Sequence, residues 1–191
     1  WVNHLGHFAL TGHVLDLLLA SNGESRIVTH SSGAHESGEI DFDDLHHEQS
    51  YGKWEAYSQS KLANLLFAYE LQRRLTKAEV TDTISVACHP GYAATNLQYR
   101  GPKQAGSKLR LGLMKAANAV VGQSAQKGAL PLLYASVAPD VEGGDYYGPG
   151  GLLNMRGAPE RQSSSEASYD EDDAARLWAK SEELTGVSYE W

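Results

Sequence analysis

Tyr57 and Lys61 stand four residues apart in a stretch whose apolar residues recur at helical spacing. On a helix that spacing brings both side chains to one face, about one turn apart. A free phenol, with a pKa near 10, gives and takes protons poorly at neutral pH. An ammonium ~5 Å from a phenol, at an effective dielectric of ~20, favours the phenolate by roughly 3 kcal/mol. Such a pair can exchange a proton with an alcohol or carbonyl oxygen near neutrality. Alone it decides little, because tyrosine–lysine spacings of this kind arise by accident in a chain with ten tyrosines.

Other residues could share the chemistry. Ser32 closes the β-prone run Arg26-Ile27-Val28-Thr29-His30. Its hydroxyl therefore falls at the carboxyl end of a strand, where open α/β sheets place their ligands. There it can donate to a carbonyl oxygen, although Ser31-Ser32 would also serve as plain turn residues. Pro90-Gly91 stops the next β-prone run, residues 83–89, and Thr95 follows shortly. A tight turn there offers N–H groups and a hydroxyl to a flat polar ligand, or is an ordinary strand stop. Asn3, on the first helix, can orient a water or be a solvated surface residue. Of the eight histidines, His30, His35, His46, His47 and His89 lack a paired ligand spacing such as HExxH and have no cysteine partner. No metal site is expected. His89 is expected beside the ligand, His46-His47 in a solvated loop, and Cys88 in the core as a small hydrophobe.

The elements that must position these residues alternate in type. Val2, Leu5, Phe8, Ala9, Leu15, Leu18 and Leu19 predict a helix over 1–20, broken by Ser21-Asn22-Gly23. A strand over 26–30, a polar loop over 33–53 and a long helix over 54–75 follow. After the strand at 83–89 come a Gly/Lys/Leu segment at 92–122, a helix over 123–137 and a short strand at 145–147. The last helix is expected to start near Ser168, whose spacing to Glu171 fits a capping box, and to stop at Gly186. Alternation of this kind implies right-handed βαβ units: an α/β fold with a parallel sheet and helices on its faces.

Composition bounds the rest. The 191 residues are 41% apolar and 21% charged, as in an ordinary folded domain. No run of 18 apolar residues occurs, so no transmembrane segment is expected. One cysteine excludes an internal disulfide and suits a reducing, cytoplasmic setting. The chain begins in mid-helix without a methionine or a charged leader, which reads as a fragment rather than a signal peptide. Net charge is −8, unevenly spread: residues 92–139 carry six bases and no acid, residues 140–191 twelve acids and four bases. The basic stretch lacks the interleaved aromatics of a stacking platform, so nucleic acid is not an expected partner.

Five segments together resemble one family in collinear order. NHLGHF at 3–8, RIVTHSS at 26–32, YSQSK at 57–61, HPGYAAT at 89–95 and GDYYGPGG at 144–151 are similar to short-chain dehydrogenases/reductases. Within that family they resemble the retinol-dehydrogenase-like and protochlorophyllide-reductase-like branch, which also has a long gap such as that between Ser32 and Tyr57. The resemblance implies a Rossmann-like doubly wound sheet, of which residues 1–191 form the C-terminal two-thirds of a single, incomplete domain. It places Asn3, Ser32, Tyr57 and Lys61 at four catalytic positions, with Asn3 holding a water that links Lys61 to solvent. Tyr57 and Lys61 would also bind the cofactor, and Pro90, Gly91, Ala93 and Thr95 would hold the nicotinamide carboxamide. The implied cofactor is NADP(H) or NAD(H), the branch favouring NADP(H). The implied substrate is a small alcohol or carbonyl compound. Residues 98–122 fall where the family keeps a substrate lid, and their leucines suit a lipophilic substrate or a membrane surface. A homo-oligomer is compatible with this picture.

The family's opening strand, TGxxxGxG turn and NNAG motif are absent from the 191 residues. That turn brings the backbone against a pyrophosphate, so the chain alone is expected to hold little more than the nicotinamide end. The second reading is a cofactor-free fragment, a non-catalytic interaction module with an apolar sheet edge left open. A sugar-nucleotide epimerase or dehydratase would share the tyrosine–lysine pair but needs a larger C-terminal substrate domain.

Overall fold

The computed structural model describes residues 2–91 and 123–191. Helix α1 spans Leu5–Leu19 and strand β1 Ser25–His30, followed by a single 3-10 turn at Gly33–Ser37. Helix α2 spans Lys53–Lys77, and strand β2 Thr83–Cys88. Beyond residue 122 come α3 (Ala125–Gly128), α4 (Leu130–Val137), β3 (Tyr146–Pro149), β4 (Pro159–Arg161) and α5 (Glu171–Thr185).

The sheet order is β1-β2-β3-β4. β1 pairs parallel with β2 from Ser25↔Thr83 to His30↔Cys88, and β2 pairs parallel with β3. The short β4, antiparallel to β3, closes one edge with Tyr147 opposite Arg161. β1 lies at the other edge, and its outer side pairs with no strand among the described residues.

The two faces of the sheet bury different helices. Phe8, Leu15, Ile27, Phe67, Leu71, Leu75, Trp178 and Tyr189 pack α1, α2 and α5 together on one face. Val86, Cys88, Ala135, Val141 and Tyr147 pack α4 against the other. Strand alternation sets this division: Ser85 donates to the Ala68 carbonyl of α2 and Ala87 packs there, while Val86 and Cys88 face α4. The 25-residue α2 is the central strut. Leu62, Leu65, Leu66, Leu71 and Leu75 are all buried along it, and Arg74 and Lys77 sit at the negative end of its dipole.

Three local expectations are corrected. The helix expected over 123–137 is two helices that meet at Ala129, because Pro131 has no N–H to continue the ladder and starts a new first turn. The strand β4 was not expected; its three residues carry no alternation to read. The capping box from Ser168 to Glu171 does not form. The Ser168 hydroxyl donates to the Ser165 carbonyl, and Asp170 caps α5 by accepting from the Asp173 N–H at 2.8 Å. The helix does stop at Gly186, whose φ of 68° is a left-handed value that glycine adopts without strain.

Candidate active site

α2 is fastened to the carboxyl end of β1 by three side chains. Lys61 Nζ donates to the His30 carbonyl at 3.1 Å, and the buried Asn64 amide donates to the same oxygen at 3.0 Å. The Ser31 hydroxyl reaches back to the Lys61 carbonyl at 2.8 Å. This places Lys61 Nζ 5.8 Å from the centre of the Tyr57 ring. Tyr57 and Lys61 are both half-buried. The ring is stacked from its other neighbour along the helix, Trp54, at 5.7 Å and 15°.

Ser32 follows β1 directly and caps the 3-10 turn, its hydroxyl oxygen accepting from the Ala34 N–H at 3.3 Å. Its carbonyl accepts from His35 Nδ1 at 2.7 Å, while His35 Nε2 accepts from the Ser165 N–H at 3.2 Å. The buried His35 ring thus pins the Ser32 turn to the segment before α5. No hydrogen bond joins the Ser32 and Tyr57 hydroxyls among the described residues. The Ser32 oxygen acts as an acceptor toward Ala34, so its own proton is left to give.

Burial, with a smaller opposing influence from Cys88, holds Lys61 below the ordinary lysine range. Burial pushes the Cys88 thiol up to about 12, which makes it an inert core residue as expected. His30 is pushed down to about 4, first by desolvation and then by the Lys61 ammonium, and burial lowers His89 as well. Both are neutral near pH 7 and add no charge beside Lys61.

Asn3 is joined to the turn of α2 that carries Tyr57. Its side-chain amide donates to the Ser60 hydroxyl at 3.1 Å, and Ser60 donates to the Tyr57 carbonyl at 2.8 Å. No hydrogen bond joins Asn3 to Lys61 among the described residues. Asn3 and Ser60 line a cavity of about 260 Å³ on the flank of α2, with His4, Gln59, Ile40 and Leu177 but with neither Tyr57 nor Lys61.

The neighbouring His4 carries a consequence for stability. Ser181 spends its proton on the Leu177 carbonyl, so His4 Nε2 must donate to Ser181. Burial lowers His4 from 6.5 to about 4. The unfolded chain then binds the proton first as pH falls. Stability is expected to drop from about pH 6.5 and to level off near pH 4, a loss of about 3 kcal/mol from this group. Urea titrations across that range should show a shallower slope for His4→Gln; an unchanged slope would assign the loss elsewhere.

The turn after β2 is held rigidly. Gly91 has a φ of 63°, and a Cβ there would lie 2.5 Å from the Met155 carbonyl oxygen and the Pro149 ring. Its N–H donates to His89 Nδ1 at 3.2 Å, and the Pro90 carbonyl accepts from the buried Gln123 amide at 2.8 Å. His89 is held at both ring nitrogens. Its Nε2 donates to the Gln162 side-chain Oε1 at 2.9 Å, the Gln162 side-chain amide donates to the Pro149 carbonyl, and the buried ring stacks on Tyr146. Ala93, Thr95 and the expected lid at 98–122 lie outside the described residues. Among the described residues, no three of His, Cys, Asp or Glu gather to hold a metal, and no helix is long and apolar enough to cross a membrane.

The donor set fits the ribose and nicotinamide end of a dinucleotide. It offers an ammonium with one proton already spent on His30, a phenol beside it, and a glycine turn at the end of the adjacent parallel strand. The sequence does not single out Asn64 or Trp54, and it raises His35 only as a candidate metal ligand. Only Trp54 had a readable signal: an aromatic three residues before Tyr57 on the same helix.

No family model matches the chain. Retinol dehydrogenase 14 of Mus musculus is 40% identical over 188 residues, 97% of this chain and 52% of that protein. Polyprenol dehydrogenase of Mus musculus is 40% identical over 189 residues, again 97% of this chain and 52% of that protein. A crystal structure of a protein from Mycobacterium Paratuberculosis superposes with a TM-score of 0.76 at 39% identity, over 99% of this chain and 59% of that one. The chain thus spans about half the length of the curated relatives it matches.

Proposed function

This chain belongs to the short-chain dehydrogenase/reductase family, in its retinol-dehydrogenase-like branch, and from that premise we propose that the whole protein interconverts an alcohol and a carbonyl compound. NADP(H) or NAD(H), when bound, would supply or accept the hydride. Tyr57 gives its hydroxyl proton to the substrate oxygen as a carbonyl becomes an alcohol, and takes it back in the reverse direction. The Lys61 ammonium stabilises the negative charge that develops on the phenol oxygen, and its free N–H groups would hold ribose hydroxyls. Ser32 donates its uncommitted proton to the same substrate oxygen. Pro90 and Gly91, with Ala93 and Thr95, would hold the carboxamide. Asn3 acts through Ser60, steadying the turn of α2 that carries Tyr57.

The observation that carries this reading is the anchoring of Lys61 on the His30 carbonyl, which fixes ammonium and phenol together at the carboxyl end of a parallel strand. The substrate class we propose is a lipophilic alcohol or aldehyde, as in the retinol and polyprenol named for the relatives. The buried free thiol of Cys88 is compatible with a cytoplasmic setting. In the test, the whole protein receives NADPH or NADH with a panel of short and long aldehydes. Consumption of reduced nicotinamide is expected; none with either cofactor across the panel would contradict the proposal.

A second reading applies to the 191-residue chain by itself. It has no TGxxxGxG turn, and β1 has an unpaired outer edge among the described residues. Titrating NADPH into this chain should then show no micromolar binding; micromolar binding would overturn the fragment reading.

A further inference from the structure

Trp54, Tyr57 and Lys61 form one row along α2, at positions i, i+3 and i+7. The phenol is flanked on one side by the indole, nearly parallel at 5.7 Å, and on the other by the ammonium at 5.8 Å. Lys61 marks the side fastened to β1, which is also where the Pro90-Gly91 turn of the adjacent strand ends. A nicotinamide ribose held by Lys61 therefore lies toward that end of the row. Whatever extends past the phenol the other way meets Trp54. That ring is 72% exposed. A large aromatic ring in water, stacked on the phenol that carries the reacting hydroxyl, forms a ready apolar wall.

We infer that Trp54 is a specificity-determining residue of this site: its indole continues the apolar face of Tyr57 outward and holds the hydrocarbon chain of a long primary alcohol or its aldehyde, which a short substrate does not reach. The inference rests on the reaction proposed above. Chain length is the discriminating property because the wall carries no charge and begins beyond the reacting oxygen. A ring exposed to this degree contributes little to the folded core, so its replacement leaves a folded protein for measurement.

The test compares kcat/KM of the whole protein for butanal and for decanal, in the wild type, Trp54→Ala and Trp54→Phe. In Trp54→Ala the decanal-to-butanal ratio should fall about fivefold to tenfold, carried by a higher KM for decanal. Trp54→Phe, which keeps an aromatic stack, should retain most of the ratio. A ratio unchanged in Trp54→Ala, even with both activities reduced, would overturn the inference and leave the reaction standing. A wild type that turns over neither aldehyde would bring down the reaction itself, and this inference with it.

Discussion

Tyr57→Phe in the whole enzyme is expected to lower kcat by about a hundredfold to ten-thousandfold while leaving the fold in place. The change deletes one oxygen. The ring that stacks on Trp54 and lies beside Lys61 keeps its shape, and no hydrogen bond of the Tyr57 hydroxyl to a described residue is lost. What disappears is the proton carrier at the substrate oxygen. Ser32 does not take its place, because an alcohol is a far weaker acid than a phenol and no hydrogen bond among the described residues brings an ammonium to its oxygen. Steady-state rates in both directions, with a binding titration of the nicotinamide cofactor, measure the effect. The loss should fall on kcat far more than on KM, since the phenol acts as charge develops rather than in holding the substrate.

Phe8→Ala is expected to cost about 3–5 kcal/mol of stability. Phe8 is fully buried, and its ring makes edge or tilted contacts with Phe67 at 5.6 Å, Trp178 at 5.1 Å and Tyr189 at 4.9 Å. These rings come from α1, α2, α5 and the segment after α5, so one truncation opens a void where four parts of the chain meet. The Tyr189 hydroxyl also donates to the Phe8 carbonyl at 2.7 Å, which ties the C-terminal segment to α1. With domain stabilities of about 5–15 kcal/mol, a loss of this size is a large share of the total. Urea unfolding midpoints measure it, and Phe8→Leu should recover part of the loss.

Periodicity and punctuation made most of the fold legible. β1 and β2 could be read because Ser21-Asn22-Gly23 and Pro90-Gly91 bound short β-branched runs, and α2 because its leucines repeat on one broad face. The Tyr57–Lys61 pair could be read from spacing alone, because i, i+4 proximity is a property of the helix. Features that depend on distant partners could not be read. Lys61 finds the His30 carbonyl across 31 positions, and Asp145, wholly buried, finds Arg161 at 2.7 Å. β4 exists through that pairing and its three-residue register with β3, not through a pattern of its own. The Ser168 error has the same origin: the capping-box spacing was present, but Ser168 serves the turn before the helix and Asp170 was the better acceptor. Nothing local says that Gln162 and Gly91 occupy both nitrogens of His89.

A double-mutant cycle on Tyr57→Phe and Lys61→Met, read as kcat in the whole enzyme, asks most directly whether phenol and ammonium act as one unit. If they do, the doubly substituted protein is barely slower than the worse of the two single variants, as for residues that share one task. Losses that multiply, so that the double variant falls by the product of the two single effects, would show two independent residues and contradict the account.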